Sequence, residues 1–169
     1  MKTSIKYFVI GAFFITLFAC EKETETATDK ELYQMATTNI QSFVWYKNSN
    51  ALLNRSSGSG HTQPYLRTRY NTIAAEVLND QGKVIEGSDF PEGSLIVKEL
   101  IGSNEQVEIY AILYKKSGHQ YADNRGWVWG YIEEDGKVKE SASKRGSACI
   151  TCHSQTGNID YMLMNKYFP

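Results

Sequence analysis

The sequence predicts an α+β domain: an N-terminal helix packed on an antiparallel β-sheet of about four to five strands, followed by a loop-rich C-terminal segment. Three observations carry this. From Glu31 to about Leu53, apolar residues recur at Leu32, Met35, Ala36, Ile40, Phe43 and Val44, the three- and four-residue spacing of one helix face. Four later runs, Tyr65 to Tyr70, Ser94 to Ile101, Gln106 to Lys115 and Trp127 to Glu133, are short, rich in β-branched and aromatic residues, and separated by turn signals. Beyond Ser141 the chain holds glycines, small residues and one short apolar patch.

Taken in order, the first nineteen residues stand apart from the domain. Lys2 and Lys6 precede a run from Tyr7 to Ala19 that only Gly11 and Thr16 interrupt. As a helix this run spans about 20 Å, short of the roughly 30 Å hydrocarbon core of a bilayer, so it reads as the apolar region of a signal peptide. It ends in Leu17-Phe18-Ala19-Cys20, which resembles a bacterial lipobox, with Cys20 the lipidated residue. The alternatives are an ordinary signal peptide with an incidental cysteine, or an uncleaved anchor. The organisation expected is a signal peptide over 1–19, a lipidated cysteine and polar tether over 20–31, and a folded domain over 32–169. The domain then sits outside the cytoplasm, lipid-anchored to the periplasmic or cell-surface face of a bacterial membrane.

Asp29 is placed to cap the first helix. Ser56-Ser57-Gly58-Ser59-Gly60 breaks the pattern, Tyr65 to Tyr70 reads as a strand, and Thr72 to Leu78 as a short helical stretch closed by Asn79-Asp80-Gln81-Gly82. Phe90-Pro91-Glu92-Gly93 turns the chain into two neighbouring antiparallel strands joined at Gly102-Ser103-Asn104. After the Trp127 strand, Glu134-Asp135-Gly136 returns the chain toward Lys137-Val138-Lys139. The 169 residues suit one domain, large enough to fold without disulfides. A net charge of −1 argues against nucleic acid as a partner.

Cys149-Ile150-Thr151-Cys152-His153 carries the chemistry. It is the attachment signal of haem c: two thiols add to the two vinyl groups on one porphyrin edge, and the adjoining histidine reaches the iron. A redox disulfide is the weaker reading, because such a motif follows a strand and opens a helix, and this one lies close to the chain end. Zinc would need a second ligand pair, and His61 and His119 are isolated beside Gly- and Ser-rich loops, where solvated histidines are expected. Met162 and Met164 follow His153 too closely in the chain to cross to the opposite face of the macrocycle and read as packing residues. An iron ligated by His153 with an open, five-coordinate distal side is therefore expected.

Several further segments join this motif in a pattern. Phe90-Pro91-Glu92-Gly93-Ser94-Leu95-Ile96-Val97-Lys98-Glu99-Leu100, Gly126-Trp127-Val128-Trp129, the haem motif, Asp160-Tyr161 and Tyr167-Phe168-Pro169 occur in that order. Together they resemble cytochrome P-460 and its relatives, including the beta-type cytochromes c′. The resemblance implies a mainly antiparallel sheet, a homodimer, a high-spin haem, and small nitrogen compounds, hydroxylamine or NO, as ligands or substrates, with a soluble cytochrome as redox partner for an oxidising enzyme. Non-enzymatic gas binding and electron transfer with a sixth protein ligand are the alternatives. The P-460 branch also links a lysine covalently to the haem edge, and the matching residue is Lys98.

Lys98 is unusual on its own account. It shares a strand face with Ile96 and Leu100, where an unpaired ammonium is costly; it either snorkels out, pairs with a carboxylate, or loses its charge in a bond to the cofactor. Arg67 and Arg69 share a face of their strand and are candidates to pair haem propionates, with a solvated strand face as the alternative. Glu99, Glu108 and Asp123 are carboxylates without an assigned role, and Trp127 and Trp129 read as core or pocket wall.

Overall fold

The computed structural model describes residues 25–169; Cys20, the apolar N-terminal run and residues 21–24 of the tether lie outside them. Helix α1 covers Ala27–Thr37. Thr26, not Asp29, is its N-cap: the Thr26 hydroxyl accepts from the Asp29 backbone N–H, and the Asp29 carboxylate at N3 accepts from the Thr26 N–H, a reciprocal capping box. The same carboxylate accepts from Ser141 Oγ and the Ala142 N–H, which ties the helix start to the far end of the sheet. Residues 27–31, expected in the tether, thus form the first turn of the fold.

The helix also ends earlier than the apolar spacing predicts. Thr38 is extended and Asn39 is left-handed at φ 56°. Ile40 then lies in a single 3-10 turn (Ile40–Ser42), and Val44 in strand β1 (Val44–Trp45). Their helical spacing was coincidental, since three- and four-residue intervals also arise when a chain turns a corner.

Among the described residues the sheet has seven antiparallel strands. β1 and β2 (Leu53–Asn54) both pair with β3 (Tyr65–Tyr70), and the order continues β3, β4 (Leu95–Ile101), β5 (Val107–Lys115), β6 (Trp127–Glu133) and β7 (Val138–Glu140). The five longer strands are those the sequence predicts. The two extra ones are two-residue pairings, too short for a period-two pattern to register.

Alternation along the strands divides the core in two. On one face Leu95, Val97, Ile112, Val128 and Ile132 pack against Leu32 and Ala36 of α1. Burying a leucine such as Leu32 contributes about 1.5–3 kcal/mol. On the other face Leu66, Tyr70, Ile96, Leu100, Leu113, Trp127 and Trp129 pack against Ile159, Tyr161, Met162 and Met164 of the C-terminal segment. That segment carries two single-turn helices, α2 (Ile150–His153) and α3 (Met164–Tyr167). Its end is held by Tyr46, whose hydroxyl donates to the Phe168 carbonyl at 2.7 Å.

Candidate cofactor site

Between the second sheet face, the C-terminal segment and the loop over 56–61 lies a cavity of about 330 Å³, with a pocket of about 40 Å³ sharing part of its wall. Its size is at the low end of ligand sites. The walls include Leu66, Leu163, Met164 and Phe168, and among the polar and sulfur-bearing residues that line it are His61, Lys98, Tyr131, Cys149, Cys152 and His153.

Two features test whether these residues suit a covalently held haem. First, Cys149 and Cys152 are free thiols, one half-buried and one exposed, on the cavity wall. Burial, then Glu140 and Cys152, push the Cys149 thiol up to about 11, so it is protonated at neutral pH. Second, Lys98 is half-buried on the same wall, with no hydrogen bond or ion pair among the described residues. Burial pulls its ammonium down to about 8. An unpaired amine, two adjacent thiols and an imidazole around one largely apolar cavity fit a group that carries its own anionic and reactive edges. The residues fit haem c.

His153 is held as a metal ligand is held. Its Nδ1 donates to the Tyr161 carbonyl at 2.8 Å, which leaves Nε2 with its lone pair. Trp129 meets the imidazole edge-on, ring centroids 5.2 Å apart at 83°. Burial, then the Lys98 ammonium, hold His153 down at about 4 against the opposing Tyr161 hydrogen bond, so the ring is neutral and able to ligate.

The Tyr161 carbonyl is fixed by a tight hairpin. Ile159 and Met162 exchange both backbone hydrogen bonds, at 2.8 and 2.7 Å, around Asp160 (φ 43°) and Tyr161 (φ 71°), the signs of a type I′ turn. Such turns favour Asn-Gly. Here Asp160 supplies the missing preference: its buried carboxylate accepts from Lys115 Nζ at 2.9 Å, Trp127 Nε1 at 3.0 Å and the Phe90 N–H at 3.1 Å. Trp129 is seated from the other side by Gly146 (φ 69°), where a Cβ would lie 2.6 Å from the indole, and by Asp123, which accepts from its Nε1 at 2.7 Å.

Sequence reasoning missed two residues here. His61, expected in solvent, lines both cavities, stacks on Tyr131 at 5.8 Å and 12°, and faces His153 with centroids 6.5 Å apart. Burial, then Lys98 and His153, pull it down to about 3, while burial and Cys149 push Tyr131 up to about 12. Glu140 at the end of β7 is the one carboxylate among the described residues of the larger cavity wall. Its place follows from the pairing of Tyr131 with Glu140, which a single strand's pattern does not reveal.

Other expectations are corrected. Arg67 and Arg69 do not reach the cavity: they point to the α1 side of the sheet, where Glu99 pairs with both and Arg69 also donates to the Ala36 carbonyl at 2.7 Å. Their period-two spacing places them opposite Thr68, which lines the smaller pocket. Glu108 accepts from Gln63 at 3.1 Å and is absent from both cavity walls. Met162 and Met164 are buried as packing residues, as the sequence indicates, and Met164 Sδ accepts from Thr68 at 3.3 Å.

The fold and the site define a c-type haem protein built on an antiparallel sheet. The chain belongs to the cytochrome P460 family, whose model matches residues 46–164, and its cofactor is haem c with its iron. Comparison with curated proteins and with solved structures gives no match.

Proposed function

We propose that Cys149 and Cys152 hold the haem through thioethers, that His153 ligates its iron through Nε2, and that the cavity admits a small nitrogen compound, NO or hydroxylamine. The observation that supports this most is the meeting of two free thiols, a free imidazole Nε2 and an unpaired amine on one cavity wall. Iron supplies a Lewis-acidic, one-electron centre when bound. The chain's own residues orient it: Tyr161 fixes the His153 tautomer, Trp129 fixes the ring plane, and Leu66, Leu163 and Phe168 limit water. In the proposal Lys98 Nζ bonds to the porphyrin edge, replacing an N–H and a C–H and releasing two electrons to a peroxide-class oxidant. Glu140 is the carboxylate placed to take substrate protons. Electrons from an oxidised substrate leave to a soluble cytochrome, and Cys20 anchors the domain by a lipid on the outer side of a bacterial membrane.

Absorption spectra of the holoprotein, oxidised and reduced, with and without NO, test the reading. NO shifts the Soret band, and peptide mass spectrometry finds haem on the peptide holding Cys149 and Cys152 and a second attachment at Lys98. Absence of haem from the peptide holding Cys149 and Cys152, or a spectrum indifferent to NO, would overturn it. A reduced Soret band at the ordinary c-type position removes the Lys98 bond alone.

A further inference from the structure

His61 and His153 come from opposite ends of the domain and meet across one cavity. Their ring centroids are 6.5 Å apart and their planes 71° apart. Imidazole nitrogens bind first-row metals at about 2 Å, and the ring centroid lies about 1 Å behind the nitrogen, so two axial histidines on one metal have centroids roughly 6 to 6.5 Å apart. A histidine that only hydrogen-bonded an iron-bound ligand would have to stand back by the length of that ligand.

The hydrogen bonding points the same way. His153 spends Nδ1 on the Tyr161 carbonyl, and His61 Nδ1 lies 3.4 Å from the Tyr131 hydroxyl. The carbonyl leaves His153 Nε2 with its lone pair, and His61 reaches the same state when its Nδ1–H donates to the Tyr131 hydroxyl, the second nitrogen fixing orientation as in ligating histidines. Tyr131 supports His61 a second time by stacking on it. The loop carrying His61 is also seated beside the thiols: a Cβ on Gly60 would lie 3.8 Å from Cys152 Sγ.

We propose that His61 Nε2 is a sixth, displaceable ligand of the haem iron, so that a small ligand enters by exchange: the bond between iron and His61 breaks, the bond between iron and the incoming ligand forms, and His61 moves aside unchanged in charge. This rests on the haem attachment proposed at Cys149, Cys152 and His153, and it replaces an open distal side with one that opens on demand. The free protein then carries a low-spin iron, and affinity for NO is reduced by the fraction of time His61 is bound.

The test is the visible and electron paramagnetic resonance spectrum of the ferric holoprotein, beside His61→Ala and the space-filling His61→Gln, with NO-binding rates by stopped flow. The expected result is low-spin iron in the parent, high-spin iron in both variants, and return to low spin when imidazole is added to His61→Ala. Binding of NO to the parent levels off as NO rises, set by release of His61; in the variants the rate stays proportional to NO and is about tenfold or more faster. High-spin iron in the parent, or low-spin iron surviving in both variants, overturns the assignment of His61 while leaving the haem site standing. Absence of covalent haem from the parent overturns the site and the inference together.

Discussion

Glu99 and Lys98 show how much a single position decides. Glu99 is 3% exposed and accepts from Arg67 and Arg69, both of which also lie over the Trp45 ring. Removing one partner of a buried pair leaves the others uncompensated, at about 3–5 kcal/mol. Glu99→Ala is therefore expected to lower the unfolding free energy from urea titration by that amount while leaving the haem spectrum unchanged, because the arginines serve the helix side of the sheet. Lys98 behaves oppositely. Its folded value of about 8 lies below the ordinary 10.5, so between those values the unfolded chain holds more protons and stability rises with pH. Lys98→Met removes that rise in the haem-free protein and is expected to raise its stability at pH 7, measured by urea unfolding at several pH values. The sequence singles Lys98 out, since a charge between Ile96 and Leu100 is visible in the alternation. The arginines' partner was not legible, because pairing across β3 and β4 depends on a register that no single strand states.

At the scale of the element, the hairpin from Ile159 to Met162 transmits the fold to the ligand. Asp160 anchors it to β5, to β6 and to the turn before β4, and the turn aims the Tyr161 carbonyl at His153. Asp160→Asn loses the buried pairing with Lys115 and is expected to cost about 3 kcal/mol. Loosening the Tyr161 carbonyl also makes His153 a weaker donor to iron, so the midpoint potential is expected to rise, as a spectroelectrochemical titration would record. A merely structural role for Asp160 would lower stability without moving the potential. Nothing local in the sequence announces this turn. Asp-Tyr is a poor I′ dipeptide, and its left-handed backbone is stabilised by groups 33 to 70 residues away. The longer strands were legible because their apolar content follows from local burial, whereas the end of α1 was not, because the periodic residues continue past the point where Asn39 turns the chain.

For the molecule as a whole, the sheet separates two environments. The α1 face holds its charges in a closed pair network, and the cavity face holds His61, His153 and Lys98 with no ion pair of their own among the described residues. His61 and His153 sit at about 3 and 4, below the ordinary 6.5, so on acidification the unfolded haem-free chain takes up protons first. Its stability is expected to be full above pH 6.5 and to fall progressively toward pH 3, a loss that His61→Gln makes shallower in a pH series of thermal melts. The separation has one more consequence. Lys98 and Glu99 are sequence neighbours of opposite sign that never meet, because β4 aims one at the cavity and the other at Arg69. Sliding β4 by one residue would thrust a carboxylate among the apolar cavity walls and an ammonium into a nest of arginines, both errors at once. This adjacent pair of charges acts as a built-in check on alignment during folding: the misaligned sheet is rejected electrostatically before any cofactor arrives.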